Sequence, residues 1–239
     1  MPTLTERFEQ VKMRIKAATI AAERPAGAVT LVAVSKARSA SEIADLHRLG
    51  QHAFGESYLQ EALVKLNTLA GLPLEWHFIG PLQANKTRHV AEHFAWAHSV
   101  DRLKLAKRLS EQRPTGLPPL NICLQVNISG EPTKSGIRPD EVPKLAAEIA
   151  NLPGLRLRGL MAIPAVTDDI EQAWRPFRLL RELAASITAR GIPLDTLSMG
   201  MSDDLEAAVM EGATLVRVGT ALFGPRPPRD VLPGVTGNQ

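Results

Sequence analysis

Eight short apolar segments, with a helix-patterned stretch between each and the next, set the strongest limit on how this chain folds. Strand-like pieces fall at 30–35, 52–55, 74–80, 95–99, 120–127, 155–162, 195–199 and 214–218. Helix-like pieces lie between them at about 41–49, 57–69, 84–93, 101–112, 139–151, 168–189 and 202–212. Such alternation requires parallel strands, because each helix returns the chain to the edge where the next strand starts. Eight strands with short connections fit an α/β fold closed into a (β/α)8 TIM-like barrel better than an open doubly wound sheet. The Rossmann-like alternative also lacks its fingerprint, since no Gly-x-Gly-x-x-Gly follows the first strand.

An extra helix precedes the barrel. Thr3 and Glu6 have capping-box spacing, and Leu4, Phe8, Val11, Ile15, Ala18 and Ala22 recur three or four residues apart. This stripe is expected to pack against the chain's own body. No internal repeat, low-complexity tract or linker divides the sequence, so residues 1–224 read as a single domain. Pro225, Pro227, Pro228 and Pro233 mark 225–239 as a flexible tail.

Composition narrows the function classes. No apolar run approaches the ~18 residues that span a bilayer. The first helix carries Glu6, Arg7, Glu9, Lys12, Arg14 and Lys16, which excludes a signal-peptide core. The single cysteine, Cys123, permits no internal disulfide, and a cytoplasmic location is expected. Net charge is +3, from 28 basic and 25 acidic residues, and only 4% of residues are aromatic. Neither a basic surface nor a stacking platform for nucleic acid follows from these figures. A local positive pocket for a small anion remains compatible with them.

The chemistry gathers at strand ends. Lys36 closes the run Leu31-Val32-Ala33-Val34-Ser35-Lys36, on the last inward-facing position of the first strand. Desolvation at the mouth of an apolar interior favours a neutral amine, which attacks an aldehyde to form a Schiff base. Alone, the segment fits better a strand-end lysine reaching for water, and the rest of the sequence reverses that reading. The seventh strand ends Ser198-Met199-Gly200-Met201-Ser202-Asp203-Asp204, and the eighth ends Val216-Arg217-Val218-Gly219-Thr220. Loops seven and eight of such barrels commonly hold phosphate, with glycine admitting close backbone approach. Asp203 and Asp204 would oppose an anion, so both are expected to turn outward.

Alternation along the eighth strand sends Val216 and Val218 to the helices and Leu215, Arg217 and Gly219 inward. A buried guanidinium needs a partner, either a carboxylate or the pyridine nitrogen of pyridoxal phosphate. An arginine there would leave that nitrogen unprotonated and weaken the ring as an electron sink. In the fifth strand Ile122, Leu124 and Val126 face outward, leaving Cys123, Gln125 and Asn127 inside. Asn127 is a candidate ligand contact, Cys123 is inert packing, and Lys134 is either solvated or a second amine near the pocket. His77 reads as a hydrogen-bonded interior histidine. His89 and His93 have i,i+4 spacing, but with Lys86 and Arg88 nearby and no third ligand they read as a solvated face; no metal is expected.

Taken in order, these segments resemble the pyridoxal-phosphate homeostasis protein family, the PROSC/YggS group. The resemblance rests on Val34-Ser35-Lys36, Phe54-Gly55-Glu56-Ser57-Tyr58 with Gln60-Glu61, and the highly specific run from Trp76-His77-Phe78-Ile79-Gly80 to Lys86. It extends through Val126-Asn127, Lys134-Ser135-Gly136, Arg158-Gly159-Leu160-Met161, Ser198 to Ser202, and Arg217 to Thr220. It implies a monomeric barrel related to the N-terminal domain of alanine racemase, the type III fold of pyridoxal-phosphate proteins. It also implies the cofactor held as a Schiff base on Lys36, phosphate contacts at Ser202, Gly219 and Thr220, and Arg217 near the ring nitrogen. Ser57 stands where the family often has Asn, and a hydroxyl cannot duplicate an amide's paired donor and acceptor.

The family is thought to buffer or deliver the cofactor, with cofactor-dependent apo-enzymes as partners and without established turnover. A racemase or lyase is the alternative, and a Schiff-base aldolase-like barrel without cofactor is a third. A two-base racemase needs an acid/base on each face of its substrate. The chain ends soon after its eighth strand, so no second domain is expected to supply one. Its single tyrosine, Tyr58, reads as helix-start packing. The carrier is therefore the expected function.

Overall fold

The computed structural model describes residues 2–131, 135–164 and 170–225. The strands are β1 (Thr30–Val34), β2 (Ala53–Glu56), β3 (Glu75–Phe78), β4 (Trp96–Val100), β5 (Leu120–Gln125), β6 (Leu155–Met161), β7 (Thr196–Ser198) and β8 (Leu215–Val218). All pair in parallel with their sequence neighbours, and β8 returns to β1 to close the barrel. The closing register sets Val32 beside Arg217 and Ala33 beside Val218. The expected barrel is thus the observed one.

The helices are α1 (Leu4–Ala21), α2 (Ala40–Arg48), α3 (Leu59–Thr68), α4 (Thr87–His93), α5 (Leu103–Gln112), α6 (Val142–Ile149), α7 (Ile170–Thr188), α8 (Leu205–Met210) and α9 (Thr220–Phe223). The capping box of α1 forms: Glu6 N–H donates to Thr3 Oγ1 at 3.2 Å, and Thr3 N–H donates to Glu6 Oε2 at 2.7 Å. A second box, Ser39 with Glu42, opens α2. Phe8, Val11, Ile15 and Ala18 bury one face of α1 in the main core.

Side-chain alternation divides the interior as the sequence implies. Leu31, Ala33, Phe54, Ile122, Leu124, Val216 and Val218 join the helices in the large outer core. Val32, Ala53, Trp96, Cys123, Met161 and Leu215 form a separate cluster inside the barrel.

The departures sit at the strand ends, where the site lies. β3 stops at Phe78 rather than running to Gly80, which packs so tightly that a Cβ would come within 2.1 Å of the Ser57 carbonyl oxygen. α8 starts at Leu205 rather than near Ser202, because Asp204 turns its carboxylate onto Met201 N–H. The one-turn helix α9 was not legible from periodicity, being too short to show any. Among the described residues, no helix is long and apolar enough to cross a membrane.

Candidate functional site

Lys36 lies two residues beyond the end of β1, in a loop held from beneath by buried charges. Ser35 N–H donates to Gly55 O at 3.0 Å, and Ser35 Oγ donates to Glu56 Oε1 at 2.6 Å. Ala37 takes a left-handed backbone, with φ of 59°, and its N–H donates to Glu61 Oε1 at 2.6 Å. For a residue with a Cβ this conformation costs about 1–2 kcal/mol. Lys65, 5% exposed, offsets that cost from α3. Its Nζ donates to Ser35 O and Glu56 Oε1, each at 2.7 Å, and also to Glu61 Oε1. Burial is the main influence on the Glu56 carboxyl and raises its pKa, with Lys65 pulling the other way. The backbone on both sides of Lys36 is therefore fixed while its own side chain stays half-buried.

That side chain borders a cavity of about 200 Å³ at the carboxyl ends of the strands. Ser57, Ser202, Arg217, Gly219 and Thr220 share its wall with Lys36. Arg217, only 4% exposed, reaches it from inside the barrel. One Nη donates to Ser198 Oγ at 2.6 Å and the other to Ala162 O at 2.9 Å. Burial draws its pKa down to about 10, so the group remains a cation at neutral pH. No carboxylate contacts Arg217 among the described residues, which removes the simpler of its two expected partners.

The two last loops are tied together. Ser202 Oγ accepts from Ala221 N–H at 3.2 Å, linking loop seven to α9. Arg14 of α1 clamps the same residue from behind, donating to Ser202 O at 2.8 Å and to Glu206 Oε1 at 2.6 Å. The hydrogen bond to Glu206 raises the Arg14 pKa and, reciprocally, lowers that of Glu206. Neither aspartate behaves quite as expected. Asp204 folds back on Met201, and Asp203, though exposed, stands at the edge of the cavity.

Other candidates stay apart. Asn127 is engaged with its own loop, donating through Nδ2 to Glu131 O at 2.8 Å, and is not among the residues walling the cavity. The backbone there is closely packed: Asn127 N–H donates to Ile137 O at 2.9 Å, and a Cβ at Gly136, whose φ is 128°, would come within 2.6 Å of Asn127 N. Lys134 lies outside the described residues. Cys123 is fully buried, and burial pushes its thiol up to about 12, the state of an inert core residue. Glu92 does join His89 and His93, a third group missing from the sequence reading, with Oε2 at 4.0 and 3.9 Å from their ring nitrogens. Arg88 competes for the same carboxylate at 3.7 Å.

Sequence reasoning passed over Lys65 and His98, and named Glu61 and Ser198 only within matching stretches, without a role. Lys65 sits four residues after Glu61 in an ordinary helix pattern, and only the fold shows that this face turns under Lys36. The inward parity of strands four and seven could have singled out His98 and Ser198.

The chain matches the family "Alanine racemase, N-terminal domain" over residues 10–227. A pyridoxal phosphate homeostasis protein of Pseudomonas aeruginosa is 58% identical over 95% of this chain and 97% of that protein. One from Escherichia coli is 49% identical over 95% and 98%. PipY of Synechococcus elongatus, solved without PLP, superposes with a TM-score of 0.82 at 38% identity, covering 93% of this chain and 100% of PipY. The same protein has also been solved with PLP bound. Alanine racemase from Corynebacterium glutamicum shares the fold alone, at a TM-score of 0.68 and 19% identity, with 92% of this chain covering 63% of the racemase. This chain therefore belongs to the pyridoxal phosphate homeostasis protein family, built on the barrel of the alanine racemase N-terminal domain.

Proposed function

We propose that this protein binds pyridoxal 5'-phosphate and acts in homeostasis of that cofactor, holding it for buffering or delivery rather than turning over an amino acid. One observation carries the reading: an amine, a buried guanidinium and two hydroxyls of adjacent loops converge on one small cavity. The donor set fits the group. Lys36 Nζ is the atom to bond the aldehyde carbon, with release of one water. Ser202, Gly219 and Thr220 would take the phosphate, where the ties among Arg14, Ser202 and Ala221 limit the motion of the two loops.

Arg217 uses two of its five N–H groups on Ser198 and Ala162, leaving donors for an acceptor in the cavity. The pyridine nitrogen is such an acceptor, and a guanidinium facing it would keep it unprotonated. When bound, the cofactor supplies an electron sink for carbon chemistry at amino acids. An unprotonated ring is a poor one, which favours holding over catalysis.

The racemase alternative needs a second acid/base over the site. Tyr58, the chain's one tyrosine, is 51% exposed at the start of α3 and is not in the cavity wall. A cytoplasmic site of action, a monomeric state and delivery to cofactor-dependent apo-enzymes belong to the same proposal.

Borohydride reduction of the cofactor-loaded protein followed by peptide mapping tests it, with the modified lysine expected at position 36. A protein that takes up no cofactor, or carries it on another amine, overturns this assignment of the site. Transfer to an apo-enzyme in the presence of excess trap for free cofactor would support delivery. Racemisation or elimination of an amino acid at about 1 per second or faster, an ordinary enzyme rate, would replace the carrier reading with a catalytic one.

A further inference from the structure

A hydrogen-bonded file of side chains runs through the barrel from its floor to Arg217. Glu75 opens β3 at the amino-terminal mouth, and its Oε1 lies 2.9 Å from His77 Nε2. His77 Nδ1 is 2.9 Å from His98 Nε2, and His98 Nδ1 is 2.7 Å from Ser198 Oγ. Ser198 Oγ in turn accepts from Arg217 at 2.6 Å. Both histidines, Ser198 and Arg217 are buried in the barrel, and Trp96 stacks on the His77 ring with an interplanar angle of 7°.

The two ends dictate the direction of every bond between them. A guanidinium only donates and a carboxylate only accepts. Ser198 therefore receives from Arg217 and gives its hydroxyl proton to His98 Nδ1. A neutral His98 then carries its proton on Nε2 and donates to His77 Nδ1, and His77 donates from Nε2 to Glu75. The reversed tautomers would set an imidazole lone pair against the Glu75 carboxylate. Burial lowers the pKa of both rings, which keeps them neutral and the order intact.

We propose that Glu75, His77, His98 and Ser198 form a one-way relay of positioning residues that locks the orientation of Arg217 in the cavity and connects its buried charge to a carboxylate at the opposite mouth. The relay itself stands without any ligand. Its effect on the cofactor rests on the function proposed above. A buried polar network serving packing alone would let each ring adjust independently. A relay makes the tautomer of one ring depend on residues that do not touch it.

Nitrogen-15 spectra of labelled histidine in the cofactor-free protein separate the two. Both rings are expected as Nε2–H tautomers, unchanged between pH 6 and 8. Glu75→Leu should convert His98, which it does not contact, to a mixture of tautomers, because Ser198 Oγ can accept from Arg217 and from His98 together once the carboxylate is gone. Ser198→Ala should instead leave His77 as the Nε2–H tautomer held by Glu75. Ser198→Thr keeps the hydroxyl and should show the wild-type pattern. Resolved Arg217 guanidinium resonances, indicating hindered rotation, should average in Ser198→Ala and reappear in Ser198→Thr. With cofactor added, Ser198→Ala should bind about tenfold more weakly while the reduced adduct stays on Lys36. An Nδ1–H tautomer at either ring of the wild type, or a His98 ring unchanged in Glu75→Leu, would overturn the relay. An adduct missing from Lys36 in the wild type would instead overturn the proposed function and leave the relay standing.

Discussion

The Lys65 ammonium lies 2.7 Å from the carbonyl oxygen of Ser35, so one lysine, buried, fixes the backbone that carries another, Lys36, at the cavity. The same ammonium neutralises Glu56, whose second oxygen, Oε2, is buried without a partner. Charge, loop shape and amine placement are thus a single arrangement.

Removing Lys65 should be costly. Lys65→Met strands the Glu56 carboxylate and frees Ser35 O, and breaking a buried pair of this kind costs about 3–5 kcal/mol. Urea denaturation at neutral pH measures the loss. Adding Glu56→Gln in the same background should recover a large part of it, since the uncompensated charge is gone.

Two glycines should tolerate no side chain. A Cβ at Gly80 would sit 2.1 Å from Ser57 O, and one at Gly159 would sit 1.7 Å from Thr196 O, both backbone atoms that cannot swing aside. Gly80→Ala and Gly159→Ala should each destabilise by about 1–3 kcal/mol or more. Gly71→Ala, with nothing within 4 Å of the added methyl, should change stability by less than about 0.5 kcal/mol. Thermal melts of the three variants provide the comparison.

Acid should weaken the fold through the barrel histidines. Burial places the folded pKa of His77 and His98 below their ordinary 6.5. The unfolded chain therefore binds more protons as pH falls through 6.5, and stability drops by about 1.4 kcal/mol per pH unit for each ring until its folded pKa is reached. Glu56 and Asp101, raised by burial, act in the opposite sense as pH rises above their unfolded values. Comparing wild type with His98→Gln isolates the histidine contribution, and the variant should show the shallower slope between pH 6.5 and 5.

The clamp of α1 on loop seven should matter more for binding than for stability. The Arg14–Glu206 pair is partly exposed, at 35% and 50% for the two side chains, so its loss should cost about 1 kcal/mol or less. Arg14→Ala also frees Ser202 O, and affinity for pyridoxal phosphate should fall by about threefold or more, a change of about 0.7 kcal/mol. Fluorescence titration of the cofactor reads the affinity, and urea denaturation reads the stability.

Most of the barrel was visible in the residue pattern, because strand periodicity and helix caps are local properties. The inward parity of Arg217 and the outward parity of Val216 and Val218 could be assigned from β8 alone. The gathering of Lys36, Ser202, Arg217, Gly219 and Thr220 followed from knowing which strand ends adjoin. What could not be read were relations between distant segments: Lys65 beneath Ser35, Arg14 behind Ser202, and His98 between His77 and Ser198. Asn127 has the inward parity its strand assigns, yet its amide bonds to Glu131 O within its own loop, a relation that no strand pattern displays.

Because β1 and β8 are neighbours at the seam, the Lys36 amine meets the Arg217 guanidinium and the turns at Ser202 and Thr220 only after the last strand is in place. A growing polypeptide on the ribosome would hold Lys36 long before it had anything to bind. Under the proposed function, ligand capture would therefore report that synthesis has passed Thr220, and a chain cut short before that point would leave pyridoxal phosphate free.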